Sequence, residues 1–211
     1  LEVCMNVNAK PLSELRRLEQ GLIAASTPFT CAPQQLITSG ESNEPRTIVL
    51  QTGVIEIYRP SDELLVGIAT APFIFGLATV MINHSQEYRV IAKTACTGFY
   101  LSTETTRQQI QQFSLWKEAF SWLSWINYIL EKRDKQLVGN NSYHQIRAML
   151  LNMAEWDETL RSKIGVMNHI QQSTRISRSV VAEVLAALRQ GNYINMSRGK
   201  LVSINRLPTE Y

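Results

Sequence analysis

Residues 166–204 read VMNHIQQSTRISRSVVAEVLAALRQGNYINMSRGKLVSI, and this segment predicts two short helices followed by a hairpin. Ser177 is an N-cap residue for the second helix, which spans residues 177–190 and ends at the stop signal Gly191. Two short strands then flank a basic turn at residues 197–200. A helix, a short turn, a second helix and a basic hairpin together indicate a winged helix-turn-helix.

The second of these helices has a slim outward face. Its apolar residues recur at helical spacing, so they are expected to face the protein interior. Arg178, Ser179 and Glu183 then point outward. Ala182 and Ala186 keep this face narrow enough to enter a DNA major groove. The inward-facing residues are Val180, Val181, Val184, Leu185 and Leu188.

Individual side chains on and beside this face suit contacts with DNA. Arg178 can donate two hydrogen bonds to guanine, and Glu183 can accept one from the amino group of cytosine. Neighbouring hydroxyl and basic groups suit phosphate contacts, which position a protein on DNA without reading its sequence. Each polar residue taken alone is also compatible with an ordinary solvated surface. The residues suited to phosphate are Arg175, Ser177, Ser179, Ser197, Arg198 and Lys200.

Charge is distributed unevenly along the chain. Residues 159–211 contain eight basic and two acidic residues, a net charge of +6. Residues 1–158 contain 13 basic and 16 acidic residues, a net charge of −3. A basic segment joined to a slightly acidic remainder is typical of a nucleic-acid-binding domain fused to another domain. Charge alone is also compatible with a solvated basic face.

Residues 113–139 are predicted to form a long helix whose first half is apolar on more than one side. Such a helix must be buried on more than one face. We expect one face to rest on the preceding domain and the other on the same helix of a second chain. An ordinary core helix within a monomer is the alternative. Ser142 is expected to cap the next helix, which begins the DNA-binding domain, residues 140–211. The expected dimer contacts are Trp116, Leu123, Ile126, Leu130 and Leu137.

Residues 1–112 are expected to form a sensor-like β domain with a lead-in helix over residues 11–25. Several short β-branched runs are separated by turn signals without a helical repeat, which indicates an antiparallel sandwich or barrel. Gly53 supplies backbone freedom between the first two runs. The predicted strands are residues 47–52, 54–58, 64–70, 88–94 and 96–101.

Composition excludes several other classes of protein. The 211 residues are 45% hydrophobic and 18% charged, so the chain can bury a core and is not a disordered tail. No apolar run reaches the roughly 18 residues that a membrane helix needs. The first residues also lack a secretory signal pattern, so we expect a cytoplasmic protein without membrane contact. Cys4, Cys31 and Cys96 lack metal-ligand spacing, and we expect thiols in a reducing compartment.

These features resemble the cyclic-AMP receptor protein superfamily of bacterial transcription regulators, which includes the fumarate–nitrate regulator. The resemblance runs from about residue 30 to residue 207. It implies an α+β chain with an N-terminal β-roll (a jelly roll of the cyclic-nucleotide-binding type), a long central dimerisation helix and a C-terminal winged helix-turn-helix. The chain is most similar to a small enterobacterial branch, the inhibitors of peroxide resistance, which implies a link to the oxidative stress response. The resemblance rests on residues 52–54, 71–74, 92–96, 177–188 and 191–194.

The resemblance implies base-contacting positions for Arg178, Ser179 and Glu183. The family more often has an acidic residue at the position of Ser179 and a basic one at that of Glu183, so we expect a different operator. In the sensor, Phe75-Gly76 and Gln86-Glu87 stand where the family has the Gly-Glu and Arg-Ser pairs that bind a cyclic nucleotide. The amide Gln86 stands in place of the arginine that neutralises the cyclic phosphate, and the neighbouring Glu87 carboxylate repels phosphate, so we expect no gating by cyclic AMP. The cysteine cluster of the fumarate–nitrate branch is absent too, so we expect no iron–sulfur cluster.

The sequence contains no catalytic constellation, and we expect a protein that is not an enzyme and has no cofactor or metal. His84, His144 and His169 do not pair with other ligands at metal-binding spacing, and His169 is expected to meet phosphate or solvent. The expected partners are double-stranded DNA, a second copy of the chain and RNA polymerase, with the small-molecule effector unidentified. Two other functions stay open: a protein-interaction module with a degenerate sensor domain, and a regulator gated by redox state or another ligand.

Overall fold

The computed structural model describes residues 10–37, 45–82 and 88–210. None of the helices in these ranges has the length and apolar character needed to cross a membrane. Four residues considered above lie outside the described ranges: Cys4, His84, Gln86 and Glu87.

The chain folds into two compact units. The first comprises Leu1–Pro60 and Val66–Ile129, and the second comprises Ser61–Leu65 and Leu130–Tyr211. The predicted α+β architecture is confirmed, because strands dominate the N-terminal part and helices and a hairpin dominate the C-terminal part.

Helix α1 (Leu12–Leu22) begins the first unit, as the leucine spacing predicts. Leu15, Leu18 and Leu22 are fully buried because three- and four-residue steps place them on one face of the helix. The strands that follow are β1 (Thr27–Cys31), β2 (Arg46–Thr52), β3 (Val54–Arg59), β4 (Leu64–Thr70), β5 (Phe73–Phe75), β6 (Arg89–Ala92) and β7 (Cys96–Ser102).

These strands form two sheets, one in the order β1-β7-β2-β5 and the other in the order β4-β3-β6. Val49 of β2 lies opposite Phe99 of antiparallel β7, and both are buried in a core shared with α1. The sequence did not predict β1 or β5. Strand β1 contains Pro28, which lacks an N–H group and is tolerated because β1 is at the edge of its sheet. Strand β5 has only three residues.

The helical stretch after β7 is divided into α2 (Thr103–Gln112) and α3 (Trp116–Leu137). Ser102 caps α2, since its Oγ accepts a 3.1 Å hydrogen bond from the backbone N–H of Thr105. The break between the helices contains Ser114, whose φ of +52° is left-handed. No glycine or proline marks this break, which is why the sequence pattern reads as continuous helix.

The second unit contains the remaining elements. The sequence predicts Ser142 as the N-cap of the first of them, and this is wrong. Asn141 is the cap, because its Oδ1 accepts a 2.9 Å hydrogen bond from the backbone N–H of His144. The elements are α4 (Ser142–Ala154), α5 (Glu158–Lys163), α6 (Val166–Thr174), α7 (Arg178–Gln190), β8 (Ile194–Ser197) and β9 (Lys200–Ile204).

His169 on α6 does not reach solvent, contrary to the expectation from the sequence. It is 7% exposed, and its ring packs edge-on against Trp156 at a centroid distance of 4.9 Å. Val166, Ile170 and Ser173 are buried with it, at steps of three and four residues. His169 therefore belongs to the inward face of α6, and it stabilises the domain from inside.

Candidate nucleic-acid interface

Helix α7 is held in place by its inward face and by its N-terminal cap. The Ser177 Oγ accepts a 3.4 Å hydrogen bond from the backbone N–H of Val180, as predicted. Behind the cap, the apolar side chains pack against the rest of the second unit. The buried residues are Val181, Val184, Leu185 and Leu188.

The outward face of α7 carries the three residues predicted to contact bases. Arg178, Ser179 and Glu183 are all exposed, and so are Ala182 and Ala186. Within the described ranges, the side chains of Arg178 and Glu183 make no hydrogen bond or ion pair. Arg178 and Ser179 lie in the first turn, where the helix dipole favours an approaching anion. The Ser179 Oγ lies 3.1 Å from the Ser177 Oγ, within hydrogen-bond distance. The face thus carries two charged side chains without partners in the described part of the chain, and its two alanines keep it narrow.

The β8–β9 hairpin presents a second polar surface. Arg198 and Gly199 have φ values of +48° and +77°, as a two-residue type I′ turn requires. Ser197 and Arg198 are exposed at this turn. The Lys200 Nζ donates a 2.7 Å hydrogen bond to the carbonyl of Lys163, at the C-terminal end of α5. Lys200 therefore fastens the hairpin to α5 while its charge compensates the helix dipole.

Arg175 is the C-cap residue of α6 and lies three residues before the first residue of α7. Its φ of +62° gives the left-handed conformation that often ends a helix. Its guanidinium donates to the backbone carbonyl of Asp62, and its Nε lies 3.7 Å from the Asp62 carboxylate. Asp62 belongs to the same compact unit. Arg175 and Lys200 are thus already engaged, whereas Ser197 and Arg198 are exposed.

Sequence reasoning missed Arg189 on this surface. It is exposed near the end of α7, eleven residues after Arg178. Eleven residues are close to three helical turns, so both arginines lie on one side of the helix. The eleven-residue spacing between Arg178 and Arg189 is the sequence feature that could have identified Arg189 as part of this surface.

The last turns of α3 position the helices around α7. Gln136 and Asn152 of α4 exchange two side-chain hydrogen bonds, at 3.1 and 3.5 Å. The Arg133 guanidinium donates a 3.4 Å bond to the carbonyl of Ser173 in α6. Helices α4 and α6 are therefore tied to α3, and α6 in turn packs against α7.

Helix α3 retains an unburied apolar side in the single chain. Of the predicted dimer contacts, Trp116 is 40% exposed and Leu130 is 48% exposed. Phe120, which lies beside the predicted stripe, is 74% exposed and was not among the predicted contacts. The remaining predicted contacts, Leu123, Ile126 and Leu137, are half-buried.

One buried carboxylate in the first unit has two close polar partners. The buried Glu56 carboxylate lies 2.8 Å from the Lys93 Nζ and accepts a 3.2 Å hydrogen bond from the Tyr58 hydroxyl. The Arg89 guanidinium lies over the Tyr58 ring, 5.6 Å from its centroid. Across the ranges that the structure describes, no cluster of three or more His, Cys, Asp or Glu side chains could hold a metal ion.

The second unit matches a family known from sequence. Residues 142–209 match the family described as winged helix-turn-helix DNA binding. An inhibitor of hydrogen peroxide resistance from Salmonella typhimurium is 53% identical over 204 residues, covering 96% of this chain and 98% of that protein. The protein of the same name from Escherichia coli K12 is 52% identical over 203 residues, with the same coverage of each chain.

Solved structures share the fold at low sequence identity. The c-di-GMP-responsive global regulator CLP of Xanthomonas campestris superposes with a TM-score of 0.69 at 16% identity, covering 90% of this chain and 99% of that one. A transcriptional regulator of the CRP/FNR family from Eubacterium rectale gives a TM-score of 0.62 at 13% identity, covering 90% of each chain. The predicted β-roll, long helix and winged helix-turn-helix thus form the fold of CRP/FNR regulators.

Proposed function

This chain belongs to the family of the inhibitors of hydrogen peroxide resistance, and from that membership and its CRP/FNR fold we propose that it is a homodimeric, sequence-specific DNA-binding transcription regulator. The observation that carries the proposal is the outward face of α7, where Arg178, Ser179 and Glu183 are exposed beside a basic hairpin turn. Such a surface recognises a ligand by shape and hydrogen bonding, so its work is binding rather than catalysis.

In the proposed complex, α7 lies in the major groove with its N-terminal end toward the bases. Arg178 donates to the O6 and N7 atoms of a guanine, and Glu183 accepts from the amino group of a cytosine. Ser179, in the same first turn as Arg178, contacts an adjacent base edge. Ala182 and Ala186 add no bulk, so the helix backbone can approach the floor of the groove.

Phosphate contacts would set the position of α7 on the duplex. Ser177 and Ser197 donate through their hydroxyls, and Arg198 projects from the hairpin toward the neighbouring backbone. Arg175 and Lys200 each hold a backbone carbonyl in the free chain. On DNA, Lys200 would exchange that neutral acceptor for a phosphate, which is a stronger, charge-assisted partner. Arg175 would exchange both the carbonyl and the nearby Asp62 carboxylate for a phosphate.

A dimer would cover the unburied side of α3. Apolar residues on this side of α3 follow the three- and four-residue spacing of paired helices, and Phe120 extends the surface. They are Trp116, Leu123, Ile126, Leu130 and Leu137. A two-fold axis between the helices would present two α7 helices to half-sites about one turn of DNA apart. In this arrangement residues 1–112 act as the sensor-like domain, 113–139 as the dimerisation helix and 140–211 as the DNA-binding domain.

Cyclic AMP is not the expected signal. A cyclic phosphate needs a cation that is not already committed. Lys93 is paired with Glu56, and Arg89 is stacked on Tyr58. The names of the relatives favour genes of peroxide defence as targets, and RNA polymerase as the second macromolecular partner follows from a role in transcription.

Selection of bound duplexes from a random DNA pool tests the proposed function with the full chain. We expect an enriched site with two-fold symmetry, bound more tightly than a scrambled duplex. Affinities for both duplexes are then measured by fluorescence anisotropy. Failure to enrich any sequence, together with isolation of a stable protein partner, would instead support the protein-interaction module.

A further inference from the structure

Cys31 and Cys96 lie directly opposite each other on neighbouring antiparallel strands. Cys31 is the last residue of β1, Cys96 is the first residue of β7, and the register pairs them. Opposed residues in an antiparallel pair have Cα atoms about 4.5 or 5.5 Å apart, depending on the hydrogen-bonding position. Both spacings fall in the range that a disulfide accepts, about 4.4–6.8 Å. Side chains of opposed residues also lie on the same face of the sheet.

The two cysteines occupy one corner of the first unit, where the chain passes between its sheets. Just after Cys31, the backbone N–H of Gln34 donates a 2.7 Å bond to the carbonyl of Ala92, the last residue of β6. From β6 a three-residue connection leads to Cys96. A disulfide would therefore join two chain segments that pass between the sheets and already lie next to each other: the one that follows β1 and the one that connects β6 to β7.

The surroundings differ for the two thiols. Cys96 is buried, and its Sγ donates weak hydrogen bonds to the carbonyls of Val54 and Thr94, at 3.4 and 3.3 Å. Cys31 is half-buried on an edge strand, so a small oxidant reaches it first. Burial raises the pKa of both thiols, and the neighbouring Cys96 raises the pKa of Cys31 further. Both are therefore protonated at neutral pH and react slowly with weak oxidants.

We propose that Cys31 and Cys96 form a reversible intramolecular disulfide when the protein meets hydrogen peroxide. The Cys31 thiolate attacks a peroxide oxygen, which breaks the O–O bond, leaves a sulfenic acid on Cys31 and releases hydroxide. The Cys96 sulfur then attacks the Cys31 sulfur and expels the sulfenic hydroxyl. Protons from the two thiols complete the two water molecules. Two thiols are oxidised to one disulfide, and one hydrogen peroxide is reduced to two waters.

We expect the disulfide to attach the edge strand β1 covalently to β7 and so to stabilise it. The new bond closes a loop between residues 31 and 96, and cross-links that close long loops restrict the unfolded chain. Strand β1 is held to the rest of the fold mainly by its pairing with β7. Oxidation should therefore raise the midpoint of thermal unfolding and slow hydrogen exchange in β1. This proposal concerns thiol chemistry alone and does not rest on DNA binding.

The test uses the full chain carrying Cys4→Ser, so that Cys31 and Cys96 are the only thiols. The protein is treated with hydrogen peroxide, alkylated and examined by intact mass and non-reducing peptide mapping. We expect a monomeric chain lighter by two hydrogen atoms, with both thiols lost together and the two cysteine peptides linked. Dithiothreitol restores both thiols. Oxidation should accelerate with pH, because below its pKa the thiolate fraction rises about tenfold per pH unit.

Adding Cys31→Ser to this background is the matched control, because it removes the half-buried partner and should prevent the mass loss. Cys96→Ser would be the reciprocal control, but the peptide map of the Cys4→Ser parent identifies both linked cysteines directly, so the test does not depend on the folding of that variant. A sulfinic or sulfonic acid on Cys31 with Cys96 still free would overturn the proposal. Disulfide-linked dimers, or both thiols remaining free after prolonged exposure at pH 9, would overturn it as well.

Discussion

The indole Nε1 of Trp122 donates a 3.0 Å hydrogen bond to the backbone carbonyl of Ile74. Trp122 is 1% exposed, so this bond fastens α3 to β5 in the absence of water. Trp122→Phe removes the indole N–H group and leaves the Ile74 carbonyl without this hydrogen-bond donor. We expect the free energy of unfolding to fall by about 1–3 kcal/mol, measured by urea denaturation at fixed protein concentration. Trp125→Phe is the control on the same helix, because the indole Nε1 of Trp125 has no hydrogen-bond partner among the described residues. An equal loss in both variants would contradict this assignment.

Arg178→Ala should weaken binding to the selected site while sparing non-specific binding. Loss of a bidentate contact to guanine costs about 1–3 kcal/mol, roughly 5- to 150-fold in affinity. Fluorescence anisotropy with the selected and scrambled duplexes separates the two effects. Arg16→Ala, an exposed arginine on α1, is the control for removing one positive charge. If Arg178→Ala weakened both duplexes equally, Arg178 would be a phosphate contact instead.

Arg198→Ala should produce the opposite pattern. A phosphate contact from the hairpin turn contributes to every sequence alike, so both duplexes should be bound more weakly by a similar factor. Each phosphate contact also releases a counterion, and the slope of log affinity against log salt should decrease in magnitude by about one. Titrations at several salt concentrations measure this slope. An unchanged slope would place Arg198 outside the DNA contact.

Phe120→Glu should dissociate the dimer without unfolding the protomer. Phe120 is 74% exposed in the single chain, so a carboxylate there remains solvated in the monomer. In a dimer, the same carboxylate would be buried without a partner, which costs several kcal/mol. Sedimentation equilibrium measures the assembly, and circular dichroism measures the fold. Gln111→Glu on α2 is the control for an added exposed charge, and a dimer that survives Phe120→Glu places the interface elsewhere.

Asn141→Ala should destabilise the second unit, because it removes the side chain that caps α4. The expected loss is about 0.5–2 kcal/mol, measured by chemical denaturation. Ser142→Ala provides the neighbouring comparison, and it should change stability by less than about 0.5 kcal/mol. The reverse order of effects would restore Ser142 as the capping residue.

The winged helix-turn-helix was predictable because its signals are local. The cap at Ser177, the apolar spacing from Val181 to Leu188 and the glycine of the hairpin turn each act within one or two turns of chain. The same spacing also indicated the outward residues of α7. The sequence pattern does not distinguish Ser142 from Asn141 as the cap of α4, because both residue types are good capping residues. Only the backbone conformation distinguishes two such neighbours.

Other features depend on contacts distant in sequence. Strand β1 contains Pro28 and has little β pattern of its own, so it exists as a strand because β7 pairs with it. His169 was misplaced because its polarity outweighed its position between Val166 and Ile170. Arg175 and Lys200 looked like free cations, but they hold carbonyls of Asp62 and Lys163 that are far from them in the chain.

The sequence was sufficient to identify α1, the winged helix-turn-helix with its hairpin, the apolar face of α7 and the concentration of basic residues near the C-terminus, but not the break between α2 and α3. Periodicity and capping are properties of neighbouring residues, so they can be recognised without coordinates. The tertiary structure alone decided that Cys31 faces Cys96, that His169 is enclosed, and which cations remain uncommitted. Strand register and side-chain pairing depend on contacts between chain segments that are distant in sequence, and a local sequence pattern does not specify those contacts.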